Sequence, residues 1–203
     1  FIINAEFLYE ISFTQNTNWI SIDGDNRTKG INYNSLYAAN KSHLAYVNSK
    51  IYVAWQESNP DNKIQIRVAV CSSCDNSSTW TFVDGGTSQT GVNGIVDVDG
   101  NENATDPRLH MYGTNLYLAW IQHKSAAKQT RVALYNGDNS SPSWQTVDRH
   151  DEYGASRFGL NYNVVKDASN FVLASSGTKL YAVWAETDNS RGKFQIRVTE
   201  NPK

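Results

Sequence analysis

Three arginines, Arg67, Arg131 and Arg197, stand in QIRVAV, QTRVAL and QIRVTE, and three converging guanidinium groups would clamp a substrate carboxylate. Their spacing, 64 and then 66 residues, argues against convergence. They occupy the same position of successive repeats, and repeat-equivalent residues are spread around an axis. A structural role is expected instead: Glu57 faces Arg67 and Glu186 faces Arg197 across a hairpin, with Gln122 opposite Arg131. His43, His110, His123 and His150 share no metal-ligand spacing and have no serine or cysteine nucleophile pattern beside them. Asp97 to Asn103, DVDGNEN, has the composition of a calcium loop, but its glycine stands at position 4 where an EF-hand needs position 6, and no glutamate follows at position 12. It reads as an Asp/Asn-rich turn. No glycine-rich phosphate cradle occurs. The expectation is a non-enzymatic chain with no catalytic residue, metal or cofactor.

A different polar set recurs. Asp23, Asp84 and Asp148 each lie four residues after a tryptophan, Trp19, Trp80 or Trp144. Each is followed by a Gly-apolar-Asn step, GIN at 30–32, GVN at 91–93 and GLN at 159–161. Two copies extend the step to Tyr33 and Tyr162, where the middle copy has Gly94. A carboxylate, an amide and an aromatic face are what sugar recognition uses, because hydroxyls need hydrogen-bond partners and the pyranose face needs an apolar platform. The expected ligand-binding set is Asp23, Asn32, Tyr33, Asp84, Asn93, Asp148, Asn161 and Tyr162. The competing role for its Asp and Asn members is to stitch the backbone of a long loop. If they bind sugar, repetition of weak sites supplies avidity.

Cys71 and Cys74, in CSSC, are the only cysteines. No second pair or neighbouring histidine completes a zinc site, so a small disulfide pinning a hairpin turn is expected. NRT, NKS, NSS, NAT and NSS make Asn26, Asn40, Asn76, Asn103 and Asn139 candidate glycosylation acceptors, all in segments that read as loops. The chain begins at Phe1 and its only methionine is Met111, which fits a removed secretory leader and an extracellular or cell-surface location. Net charge is −2 with a pI near 6.1 and no basic cluster, which argues against a nucleic-acid partner. No apolar run approaches the roughly 18 residues of a membrane span.

The elements that must position these residues repeat as well. IYVAW (51–55), LYLAW (116–120) and LYAVW (180–184) are nearly the same strand, and all the tryptophans fall into two series that share a period of roughly 64 residues. Each unit shows the IRV-type strand, a short tryptophan-led strand (NWISID 18–23, TWTFVD 79–84, SWQTVD 143–148), a loop of about 20 residues, a strand such as SHLAYV, and the LYLAW strand. No segment sustains a helical period. In IYVAW both faces are apolar, which suits a strand covered on both sides and therefore radially stacked sheets. The fold expected is all-β: a β-propeller-type repeat of three four-stranded blades, forming one domain over 1–203 with repeats near 6–64, 65–128 and 129–198.

In its order of Pro, strand, G-x-x-LYhAW, strand, turn and Trp-strand, the chain resembles bacterial surface β-propeller repeats and, more distantly, sialidase-type propellers with their Asp-box hairpin. Ser73, Asp75, Ser77, Thr79 and Trp80 follow the box spacing, with serine in place of its glycine. The third copy sets Asp138 one residue farther from Trp144, and the first copy has no such aspartate. The box is a structural turn in that family, so the resemblance implies a fold rather than an activity. Three blades are too few for a closed ring, and both EFLYEISF (6–13) and FQIRV (194–198) read as the IRV-type strand, leaving one strand surplus. Two chains forming a six-bladed ring, donation of a terminal strand to a neighbour, or further residues would each resolve it. The expected function is an extracellular, self-assembling, lectin-like module that binds glycans, or alternatively a fibre or sheath subunit joined by strand exchange. The expected partner is the chain itself, as dimer or polymer.

Overall fold

The computed structural model describes residues 21–23, 30–74, 79–96, 102–148, 159–188 and 192–201. Three antiparallel sheets follow one another along the chain. The first runs β1 (Ala39–Val47), β2 (Lys50–Ser58), β3 (Ile64–Cys71), β4 (Thr81–Phe82). The second runs β5 (Ala104–Tyr112), β6 (Asn115–His123), β7 (Lys128–Tyr135), β8 (Trp144–Thr146). The third, among the described residues, has β9 (Ala168–Ser176), β10 (Lys179–Thr187) and β11 (Phe194–Asn201), three strands where four are expected. Strand order equals chain order, and the innermost strands β1, β5 and β9 pack against one another in turn. This is an arc of propeller blades. Each blade begins at its inner strand, so the sheets divide the chain at a different phase from repeats counted from the IRV-type strand.

Local chemistry explains the hairpins. Asn48 and Ser49 join β1 to β2 with φ of 49° and 61°, the paired left-handed turn that matches strand twist. β6 shows why the LYLAW strand is apolar on both faces. Leu116, Leu118 and Trp120 join a core with Ile66, Val68 and Val70 of the first blade, while Tyr117, Ala119 and Ile121 join another with Leu180, Ala182 and Trp184 of the third. Each large aliphatic side chain so buried contributes about 1.5–3 kcal/mol. Cys71 and Cys74 are bonded at the end of β3.

One short helix, α1 (Val92–Val96), interrupts the crossover from β4 to β5. Its five residues are too few for a helical period to be visible in sequence. Among the described residues no helix is long and apolar enough to cross a membrane. The surplus strand at 6–13 lies outside the described residues.

Candidate functional site

Polar side chains concentrate at the end of the blades where β1, β5 and β9 begin. Arg67 and Arg131, both buried, pair with Asp84 (3.1 Å) and Asp148 (2.6 Å). Arg67 also donates to the carbonyls of Thr87 (2.8 Å), Ser88 (3.2 Å) and Thr90 (2.9 Å), which gathers the crossover around its guanidinium. Burial pushes the Asp84 carboxyl above its ordinary value, against the pull of the Gly86 amide and Arg67. The expected Glu57–Arg67, Glu186–Arg197 and Gln122–Arg131 pairs are corrected by register. Trp55 lies opposite Arg67, Trp120 opposite Arg131 and Trp184 opposite Arg197, so each Glu or Gln is displaced by two residues along its strand.

Glu57 and Glu186 instead hold the loops that lead into their own blades. Glu57 accepts from the amides of Tyr33 (3.0 Å) and Asn34 (2.7 Å) and from the Trp55 indole (2.7 Å). Glu186 does the same for Tyr162 (2.9 Å), Asn163 (2.8 Å) and Trp184 (2.9 Å). Gln122 also accepts from its tryptophan, Trp120 (2.9 Å), but donates through Nε2 to the carbonyls of Glu102 (3.4 Å) and Asn103 (3.3 Å). Where the loop presents amides the residue is Glu; where it presents carbonyls the residue is Gln.

The Gly-apolar-Asn step is a clamp on the third strand of the preceding blade. A Cβ at Gly91 would meet the Ile66 carbonyl at 2.1 Å, and Asn93 Oδ1 accepts from the Ile66 amide (2.9 Å). Gly159 has φ 93°, and Asn161 Oδ1 accepts from the Thr130 amide (2.9 Å). Of the expected ligand-binding set, Asp84, Asn93, Asp148 and Asn161 are therefore buried and engaged in the protein, and the stitching role is the one they perform. Asp23 and Asn32 are half-buried, with Ser21 donating to Asp23. Tyr33 and Tyr162 are exposed, stacked on Arg67 at 4.2 Å and on Arg197 at 4.7 Å.

The end at which the inner strands begin carries groups that sequence reasoning missed. Each inner strand opens with a bulge whose residue is left-handed: Lys41 (φ 54°), Asp106 (φ 57°) and Asn170 (φ 53°). The three are repeat-equivalent in backbone but differ in type, so no motif marks them. Asp106 pairs with Lys41 across the joint of two blades, and its amide donates to Gln56 Oε1 (3.1 Å). His123 meets Thr105 Oγ1 at 3.3 Å. Burial, and then Lys128, lower the His123 pKa, while Asp106, Asp167 and Glu102 pull it upward. Deeper in, His43 Nδ1 accepts from the Leu109 amide (3.2 Å), and His110 Nε2 meets Ser175 Oγ (3.1 Å). Burial lowers the pKa of both histidines. Among the described residues no cluster could hold a metal ion.

The acceptor asparagines divide. Asn26 and Asn76 lie outside the described residues, and Asn40 is exposed but within β1 rather than a loop. Asn103 Oδ1 holds the Ile64 amide (2.8 Å), and Asn139 Oδ1 accepts from the Tyr135 hydroxyl (3.0 Å).

Fold and site together define a propeller-type protein whose polar groups gather where its inner strands begin. Among solved structures the chain is similar to an α-L-arabinofuranosidase from Lactobacillus brevis, with TM-score 0.47 and 13% identity over 82% of this chain and 50% of that one. An endo-arabinase from Bacteroides thetaiotaomicron gives TM-score 0.45 and 12% identity over 77% and 54%. An α-L-arabinofuranosidase from Clostridium thermocellum gives 0.41 and 17% over 80% and 47%. No family model matches the chain, and no curated protein matches it by sequence. The chain spans about half the length of these structures. The likeness is one of fold, and it supports the propeller half of the resemblance rather than its sialidase-type half. The expectation of a non-enzymatic lectin-like module, with a fibre subunit as alternative, is corrected: the structures matched are glycoside hydrolases.

Proposed function

We propose that the chain forms blades of a carbohydrate-processing propeller, with substrate held at the end where Asp106 stands. The observation that supports this is the left-handed bulge that sets a lone carboxylate, among three equivalent positions, at the junction of β1 and β5. Non-glycine residues at positive φ carry a conformational cost, and such strain collects at sites that must present a side chain. Lys41 pairs with the Asp106 carboxylate, and a carboxylate is the kind of group that activates water as a base. Glycoside cleavage needs a second carboxyl about 5–10 Å away to protonate the leaving oxygen. Glu102 and Asp167, which lie just ahead of β5 and β9, are the groups we assign to it.

Arabinofuranosides and arabinan, suggested by the names of the matched structures, are the substrates to try first. The expected result is slow release of the aryl group from an aryl α-L-arabinofuranoside or of sugar from arabinan. Asp106→Asn should lower it at least a hundredfold with the β-sheet circular dichroism unchanged, while Glu102→Gln and Asp167→Asn identify the acid. No turnover by folded wild-type chain on a panel of aryl glycosides, or full activity in Asp106→Asn, would overturn the reading.

A further inference from the structure

Among the described arginines, Arg67 and Arg131 pair with Asp84 and Asp148, and Arg197 stacks on Tyr162. Arg108 differs. It forms no ion pair among the described residues, and its guanidinium makes a single hydrogen bond, from Nη1 to the carbonyl of its neighbour Pro107 at 3.2 Å. A guanidinium presents five N–H donors in a planar fork, so most of this one's capacity is unused. The side chain is half-buried, so a ligand can reach it.

Register explains what stands beside it. His43, Arg108 and Val172 hold one position on successive inner strands, opposite Ala54, Ala119 and Val183. His43 Nδ1 accepts from the Leu109 amide at 3.2 Å, which sets the imidazole against the β5 backbone next to Arg108. An amide can only donate, so Nδ1 carries the lone pair and the hydrogen of the neutral ring is on Nε2. Burial, and then the charges of Arg108 and His110, lower the His43 pKa, which keeps the ring neutral at pH 7. His43 Nε2 has no hydrogen-bond partner among the described residues. Neighbouring strands therefore both offer donors, while the carboxylate closest in sequence, Asp106, is taken by Lys41.

Donors without acceptors call for an anion. A planar carboxylate takes the guanidinium fork bidentately and keeps lone pairs for a second donor such as an imidazole N–H. Asp106 stands two residues from Arg108, at most about 7 Å along an extended strand, on the order of one sugar ring. A ring whose reacting carbon lies at Asp106 would bring a carboxyl carried on its far side to Arg108.

We propose that Arg108 and His43 receive the carboxylate of a sugar acid, so that the unit held beside Asp106 is a uronic acid. The reaction at that unit rests on the carbohydrate-processing reading above, but its binding is measured without turnover. The test is binding of sodium glucuronate to the full chain, followed by calorimetry and by the His43 ring signals in NMR, with glucose and sodium acetate as comparisons. Glucuronate should bind about tenfold tighter than glucose and move the His43 signals. Arg108→Gln should remove that advantage with unchanged β-sheet circular dichroism. Arg108→Lys should restore part of it, because the charge survives while the fork is lost. Asp106→Asn should keep the binding while abolishing hydrolysis, which separates failure of the site from failure of the reaction. Glucuronate binding no tighter than glucose, acetate binding as tightly as glucuronate, or glucuronate binding unchanged in Arg108→Gln would overturn the proposal. Hydrolysis of neutral arabinosides by a chain that does not bind glucuronate would overturn it too, and would leave the reaction standing.

Discussion

Glu57, Gln122 and Glu186 occupy one repeat position, and their identities follow the polarity of the backbone they hold. Glu57→Gln replaces an acceptor by an amide group facing the Tyr33 and Asn34 N–H donors, and should cost about 1–3 kcal/mol in urea unfolding. Gln122→Glu turns a donor into a carboxylate facing two carbonyls and should cost at least as much. The double swap should not restore stability, because each blade's loop is fixed by its own sequence. Asp148→Ala leaves Arg131 buried beside a vacancy and should cost about 3–5 kcal/mol by the same measurement. These pairings were present in the sequence as constant offsets. Each Trp of the LYLAW strand precedes its Glu or Gln partner by two residues, and each Arg precedes its Asp by 17. Reading the arginines only against the neighbouring strand, without the crossover, hid the second offset. Lys41, Asp106 and Asn170 left no such trace, since their likeness lies in φ and not in side chain.

At the scale of elements, the inner strands are tied by imidazoles. His43 on β1 accepts from β5 through Nδ1, and His110 on β5 meets Ser175 on β9. An imidazolium cannot accept, so protonating His43 breaks its tie. The folded pKa of both histidines lies below the unfolded value of 6.5. The unfolded chain therefore binds more protons in the window below 6.5, and their contribution to stability is complete above it and lost as pH falls. Thermal melts from pH 8 to pH 5 should show the midpoint dropping with acid. His43→Gln and His110→Gln together should flatten that part of the profile. Strands, turns and repeat phase were legible because alternation and turn residues are local. The inner bulges and α1 were not, because a single extra residue or one helical turn leaves no periodic signal.

Across the whole molecule, stability is a chain of joints between neighbours. The Ile64 amide is held by Asn103 and the Lys128 amide by Asp167, the residues just ahead of the next blade's inner strand. The covering strand of one blade is touched by the indole of the next. Each blade thus depends on what immediately precedes and follows it, as in linear repeat arrays. Replacing Asn103 by alanine should open one joint, costing about 1–2 kcal/mol and raising amide exchange at Ile64 and nearby β3 first.

Those joints also bear on heredity. Ala104 and Ala168 start equivalent strands, and the residue before each caps the blade behind it. A tandem copy of residues 104–167 inserted after Asp167 would keep its own C-terminal border and would have at its N-terminal border Asp167, the equivalent of Asn103. Unequal crossing-over within such a gene would therefore add or remove whole blades while keeping the cap at each border, although a duplicated blade would meet a copy of itself and set one Asp106 against another. A chain lengthened in this way should fold, with every tryptophan of the extra unit buried and a higher melting midpoint than the parent.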